Sequence, residues 1–159
     1  MNKTQLLNQV VASLSERLDL LERAARASHA EATHESSKAE SKYDTRGLEA
    51  AYLAGGQARQ AKEILDSIAL YQSLPLKHFA AGDAIELTAL VDLDTDGSRA
   101  TYFVGPSNGG LEIDFAEQEI TVVTPQSPLG QNLMGKKACQ RWTAKLGAAT
   151  VKYHIVWVR

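Results

Sequence analysis

Acids and bases alternate along one short stretch of this chain, where Glu35, Glu40, Asp44 and Glu49 are interleaved with Lys38, Lys42 and Arg46. The three bases recur at every fourth residue, and Glu40 and Asp44 are also four apart, a step that places side chains on one face of a helix. Asp44 and Glu49 are five apart. On one continuous helix they diverge, and they meet only across a turn. Two readings stay open from the residues alone. As a solvated surface the cluster makes i to i+4 ion pairs, each contributing roughly a few tenths of a kcal/mol. As the end of a projecting element it offers carboxylates and cations to something outside the chain.

Other reactive residues form no constellation. His29 and His34 are five apart, with His78 and His154 distant, so no metal-ligand spacing is present and no structural zinc or other metal of its own is expected. The single Cys139 cannot close an internal disulfide and has no local base to activate it, so a buried or half-buried thiol is expected. The loop from Gly105 to Gly110 runs into Leu111-Glu112-Ile113 rather than opening a helix, which argues against a phosphate-binding loop. Seventeen Lys and Arg against 19 Asp and Glu leave a formal net charge of -2, so no general attraction to duplex nucleic acid and no sequence-specific DNA binding are expected. With 159 residues and 44% hydrophobic composition the chain buries its own core. It lacks an apolar signal core and any run of the roughly 20 apolar residues that cross a bilayer, so a soluble, cytoplasmic protein is expected, with no membrane partner.

Two textures follow one another. Leu7, Val11, Leu14, Leu18, Leu21, Ala25, Ser28 and Ala32 alternate steps of four and three, the seam of a coiled coil. The pattern returns at Ala51, Ala54, Ala58, Ala61, Leu65, Ile68 and Gln72, and Pro75 forbids its continuation. An antiparallel helical hairpin is predicted over residues 1–75, with Leu7 and Leu14 near Ile68 and Leu65 and only small residues distally. At 1.5 Å per residue, about 35 residues per helix would project about 50 Å. The turn falls near Ser36 to Ser41 by seam register, or near Asp44-Thr45-Arg46-Gly47 by helix-start chemistry. Gly55-Gly56 would cost roughly 1 kcal/mol each against Ala inside the second helix, which points to a tight helix crossing or a bend.

Residues 76–159 read as sheet. Ile85, Leu87 and Ala89 alternate with Glu86, Thr88 and Leu90, and Asp94-Thr95-Asp96-Gly97 supplies hairpin chemistry before a strand from Ala100 to Val104. A third strand is predicted over Ile120 to Val123 and one or two helical turns over Pro128 to Met134, with Pro128 suited to the first turn. Arg141 to Ala144 and Thr150 to Val158 form a last hairpin. The fold class is α+β: a helical hairpin, then a short antiparallel sheet with one helix across it.

The run Ser127-Pro128-Leu129-Gly130-Gln131-Asn132-Leu133-Met134-Gly135-Lys136-Lys137, followed by two strands, resembles the Ser-Pro-Leu/Ile-x-x-x-Leu-hydrophobic-Gly-Lys segment of the Gre family of bacterial transcription elongation factors. Gly82-Asp83, the acidic hairpin and Tyr102-Phe103-Val104-Gly105 extend the resemblance from about Phe79 to Val158. It implies an FKBP-like C-terminal domain without a prolyl isomerase site, bound to RNA polymerase through Ser127, Pro128 and Leu129. A competing structural reading has Pro128, Leu133 and Met134 merely seat the helix on the sheet.

The resemblance further implies that the hairpin enters the polymerase secondary channel. There, tip carboxylates of the family help hold the second catalytic magnesium and its attacking water, a task for hard oxygen ligands. The family's tip motif, Asp-Leu-Ser-Glu-Asn-Ala-Glu-Tyr, aligns its Ala-x-Tyr with Ala50-Ala51-Tyr52. That alignment puts Thr45 and Leu48 where the two acids belong. Glu40, Asp44 and Glu49 are then the candidate assisting carboxylates, and Lys38, Lys42 and Arg46 candidate contacts to transcript phosphates. No cofactor is expected beyond the polymerase's magnesium. The chain is expected to be an accessory factor, not an enzyme. A non-cleaving channel occupant that competes with Gre factors, and an FKBP-like folding helper, are the alternatives.

Overall fold

The computed structural model describes residues 2–33, 46–80, 82–146 and 149–159. In chain order they form α1 (Lys3–Thr33), α2 (Arg46–Gln72), β1 (Leu90–Thr95), β2 (Ser98–Val104), β3 (Glu112–Phe115), β4 (Gln118–Val123), α3 (Pro128–Leu133), β5 (Arg141–Leu146) and β6 (Ala149–Val158). Two long helices followed by a sheet with one short helix is the α+β class read from the sequence. The chain divides into two compact units, one of residues 1–10 and 70–159, the other of residues 11–69.

In the unit of residues 11–69, Leu14 is fully buried, and Val11, Leu18, Leu21 and Ala25 are half-buried, as the seam on α1 predicts. The stripe on α2 is rotated from its predicted phase. It keeps Ala61 and Ile68, but Ile64 is buried while Leu65 is 50% exposed, and Gln57 is half-buried. In the other unit, the last turn of α2 buries Tyr71, 2% exposed, rather than Gln72. Ser67 joins the buried stripe by donating its hydroxyl to the Glu63 carbonyl at 2.9 Å, which satisfies it within its own helix. A β-carbon at Gly55 or Gly56 meets no described atom within 4 Å, so the predicted tight crossing at this pair is absent among the described residues, and α2 runs through both.

In the unit of residues 1–10 and 70–159, six strands lie in the order β3-β4-β2-β1-β6-β5. The sheet is mixed rather than wholly antiparallel, because β2 and β4 pair in parallel, Phe103 opposite Val122. Alternation along the strands sends Val91, Leu93, Val104, Val123 and Ile155 to one face, where Ile85, Ala89 and the α3 residue Leu133 complete a core. Leu90, Phe103, Ile120 and Val122 are buried on the opposite face. Each such aliphatic or aromatic side chain contributes about 1.5–3 kcal/mol. Leu6, Leu7 and Val10 of the first α1 turns and Tyr71 of α2 are buried in the same unit.

The β1–β2 hairpin turns on Asp96 and Gly97, both left-handed at φ 50° and 90°, as the Asp-Gly pair predicts. Residues 85–89 do not form the predicted strand. Ile85 pairs its backbone with the segment after α3, donating to the Lys136 carbonyl at 2.7 Å and accepting from the Gly135 N–H at 2.9 Å. Thr88 then turns the chain at φ 72°, and its N–H donates to the Val104 carbonyl at 2.8 Å. Strand β3 went unread in the sequence because its hairpin with β4 closes on Ala116 and Glu117, at φ 52° and 63°, without a glycine or asparagine to mark it. Cys139 is exposed rather than buried: it holds φ 65° in the bend before β5, its N–H donating to the Ile155 carbonyl at 2.8 Å.

Candidate functional site

The chain leaves β4 at Val123 and reaches α3 through a turn that Ser127 closes. Ser127 is extended (φ -67°, ψ 155°), and its hydroxyl accepts from the Gly130 N–H at 3.0 Å, a helix N-cap that satisfies one of the unpaired amides of the first turn. The same hydroxyl donates to the Thr124 carbonyl at 2.8 Å. Gly130 is buried against that carbonyl, and a β-carbon there would fall 1.9 Å from the oxygen. Only glycine fits.

Pro128 follows at the first helical position, where its missing N–H costs nothing, and its ring is exposed. Leu129 is half-buried against the core, Leu133 fully buried and Met134 half-buried. The outward amides are tied down: Gln131 Nε2 donates to the Gln126 carbonyl at 3.1 Å and Asn132 Nδ2 to the Pro128 carbonyl at 2.8 Å. Gly135, at φ 77°, ends the segment. Beyond it the Lys136 ammonium lies 5.2 Å from the Trp142 ring, which stacks on Tyr153 at 4.9 Å and 11°.

The three predicted contact residues are thus brought together and divided by role. Ser127 spends its hydroxyl on the cap, Leu129 leans on the core, and Pro128 faces solvent. This is a rigid surface with an apolar underside, without a general acid, base or nucleophile at its centre. Among the described residues no three His, Cys, Asp or Glu side chains gather as metal ligands.

Glu40, Asp44, Lys38 and Lys42 lie outside the described residues. Arg46 and Glu49 are placed only as backbone positions in α2, whose described residues begin at Arg46, so both predicted positions of the hairpin turn lie wholly or partly outside the described residues. The predicted site had two omissions, Gly130 and the Trp142–Tyr153 stack. The first was marked by a glycine three residues after Ser127, whereas the second follows only from the β5–β6 register that sets Trp142 opposite Tyr153.

No protein-family model and no curated protein matches this chain. Solved structures do resemble it. One is of the transcription factor Gfh1, at 20% identity over 97% of this chain and 91% of that one, with a TM-score of 0.39. Others are GreA factor homolog 1 (Gfh1) of Thermus thermophilus, at 17% identity over 98% and 93% with a TM-score of 0.37, and Thermus aquaticus Gfh1, at 18% over 98% and 92% with a TM-score of 0.40.

Proposed function

We propose that this chain is an accessory factor of bacterial RNA polymerase that docks through the outer end of α3 and modulates elongation without being an enzyme itself. The observation that carries this reading is the Ser127 to Lys137 segment. Its residues resemble the Gre docking segment, and its cap leaves Pro128 exposed on a turn that Leu129, Leu133 and Met134 seat on the sheet. A proline ring held this way presents apolar area to a partner with little ordering entropy to lose on binding. Under the same reading α1 and α2 supply the probe for the secondary channel. Glu40, Asp44 and Glu49 act beside the polymerase's second magnesium, and Lys38, Lys42 and Arg46 against transcript phosphates. The ion belongs to the polymerase, which needs only added negative charge beside it.

Retention on immobilised core polymerase tests the docking. Pro128→Glu is compatible with the helix start, where negative charge is favoured, and is expected to weaken retention by about tenfold or more. Equal retention of the variant and wild type would overturn the docking assignment. Transcript cleavage in stalled complexes tests the chemistry, because Glu40→Ala with Asp44→Ala is expected to abolish stimulation while retention persists. Thr45 and Leu48, standing where the family's acids align, favour a second reading in which the probe occupies the channel without aiding cleavage. That protein would displace a Gre factor and leave stalled transcripts uncut.

A further inference from the structure

Strands β5 and β6 form the outer hairpin of the sheet, and their register sets Arg141 opposite His154, Thr143 opposite Lys152 and Lys145 opposite Thr150. Alternation gives one face Trp142, Ala144, Val151 and Tyr153, and the other these six residues. Five of the six are exposed and His154 is half-buried. Every rung of this face therefore carries a cation or histidine, and in two of the three rungs a threonine hydroxyl stands beside the lysine. Rungs on one face of a strand are about 6.7 Å apart, close to the separation of successive phosphates in an extended single strand.

Arg141, Thr143, Lys152 and His154 line an open trough of about 720 Å³ that Asp94, Asp96 and Gly97 bound on the β1 side. Asp94 accepts from the Gly97 N–H of the β1–β2 turn at 2.9 Å, and Asp96 from the Lys152 N–H of β6 at 3.1 Å. Among the described residues, Arg141, Lys145 and Lys152 form no ion pair, in a chain whose acids outnumber its bases. Charges on an edge strand also guard against edge-to-edge aggregation, which accounts for Arg141 and Lys145 on β5. It does not account for Lys152 and His154, because β6 is paired on both sides, by β1 and β5.

We propose that this face binds the phosphate backbone of a single-stranded nucleic acid. Arg141, Lys152 and Lys145 each neutralise one phosphate, and Thr143 and Thr150 hydrogen-bond alongside. The contact is electrostatic and independent of sequence.

Fluorescence anisotropy of a labelled uridine oligonucleotide, titrated with the full chain at several salt concentrations, tests this without polymerase, so it stands or falls apart from the docking assignment. Three neutralised phosphates at about -0.7 each predict a slope of log K against log salt of about -2. Lys152→Ala makes the slope shallower by about 0.7, and Arg141→Ala/Lys145→Ala/Lys152→Ala abolishes binding. A thymidine oligonucleotide of equal length binding as well supports backbone recognition, and a preference for uridine supports it with the 2′-hydroxyl at the threonines. Absence of salt-dependent binding by wild type, an unchanged slope for the single variant Lys152→Ala, or tighter binding of a duplex of the same length would each overturn the proposal.

Discussion

The Tyr71 hydroxyl donates to the Ser107 carbonyl at 2.7 Å beside Gly105, where a β-carbon would fall 2.5 Å from the phenol oxygen and 2.9 Å from Val122 Cγ1. The last turn of α2 is therefore held against a sheet position that tolerates no side chain. Gly105→Ala is expected to cost about 1–3 kcal/mol through overpacking. In denaturant titrations this appears as a lower midpoint at unchanged slope, and an unchanged midpoint would contradict the close approach.

Burial pushes the Tyr71 phenol from 10.0 up to about 12. The folded state keeps this proton while the unfolded state loses it, so the contribution is complete below pH 10 and is lost as pH rises towards 12. Tyr71→Phe removes the hydrogen bond, at about 1 kcal/mol near neutrality, and with it this alkaline loss. Melting temperatures across the alkaline range distinguish the two chains.

Lys3 has the opposite sign. Its ammonium donates to the Lys77 carbonyl at 2.7 Å and lies 4.5 Å from the Phe79 ring centre, and burial lowers it from 10.5 to about 8. Lys77, 5.2 Å from the same ring, is held up by its 2.8 Å bond to Glu86 and stays charged. Between pH 8 and 10.5 the unfolded chain binds more protons at Lys3 than the folded one, so this residue makes stability rise with pH over that window. Lys3→Met is expected to flatten the rise below pH 10, before the Tyr71 loss begins. A variant whose melting temperature climbs as steeply as that of wild type would disprove the assignment.

At α3, Ser127→Ala removes the cap and is expected to cost about 1 kcal/mol. Gly130→Ala should cost more, because the chain must move to relieve a β-carbon 1.9 Å from the Thr124 carbonyl oxygen. Thermal melts of the two variants rank them, and the reverse order would be inconsistent with this cap geometry.

Asp92 is 5% exposed within β1, and its two carboxylate oxygens meet Arg99 Nε, at 3.3 Å, and Nη2. Removing the guanidinium strands a buried charge, whereas an amide at position 92 removes the charge and keeps an acceptor. Arg99→Ala is therefore expected to lower the melting temperature more than Asp92→Asn. Equal effects would show that the pair is solvated.

What was legible in the sequence had a local cause. Ser127-Pro128 fixes the start of α3 by capping and ring geometry, and Asp96-Gly97 fixes a hairpin by its tolerance of left-handed backbone. What was not legible is decided at long range. Nothing local distinguishes residues 85–89 from a strand, since their partner is the Gly135–Lys136 backbone. Tyr71 is buried rather than Gln72 at the end of α2, with its hydroxyl partner Ser107 far along the chain, and the parallel β2–β4 pairing places β3 and its glycine-free turn between them in sequence but outside them in space. Of the candidate site, the first-turn position of Pro128 was readable, whereas the side its ring faces was left open by the sequence and the cationic rungs emerge only once the β5–β6 register is known.

Strand β1 lies between β2, its immediate successor, and β6, which follows only after every other element, with Val91 opposite Val158. On a ribosome, the hairpin half of this central strand assembles early, while its other edge waits bare until residues 153–158 emerge. The Asp92 carboxylate and the apolar ladder of Val91 and Leu93 therefore stay open to mispairing until the last strand is made, a long-range pairing of the kind that slows folding.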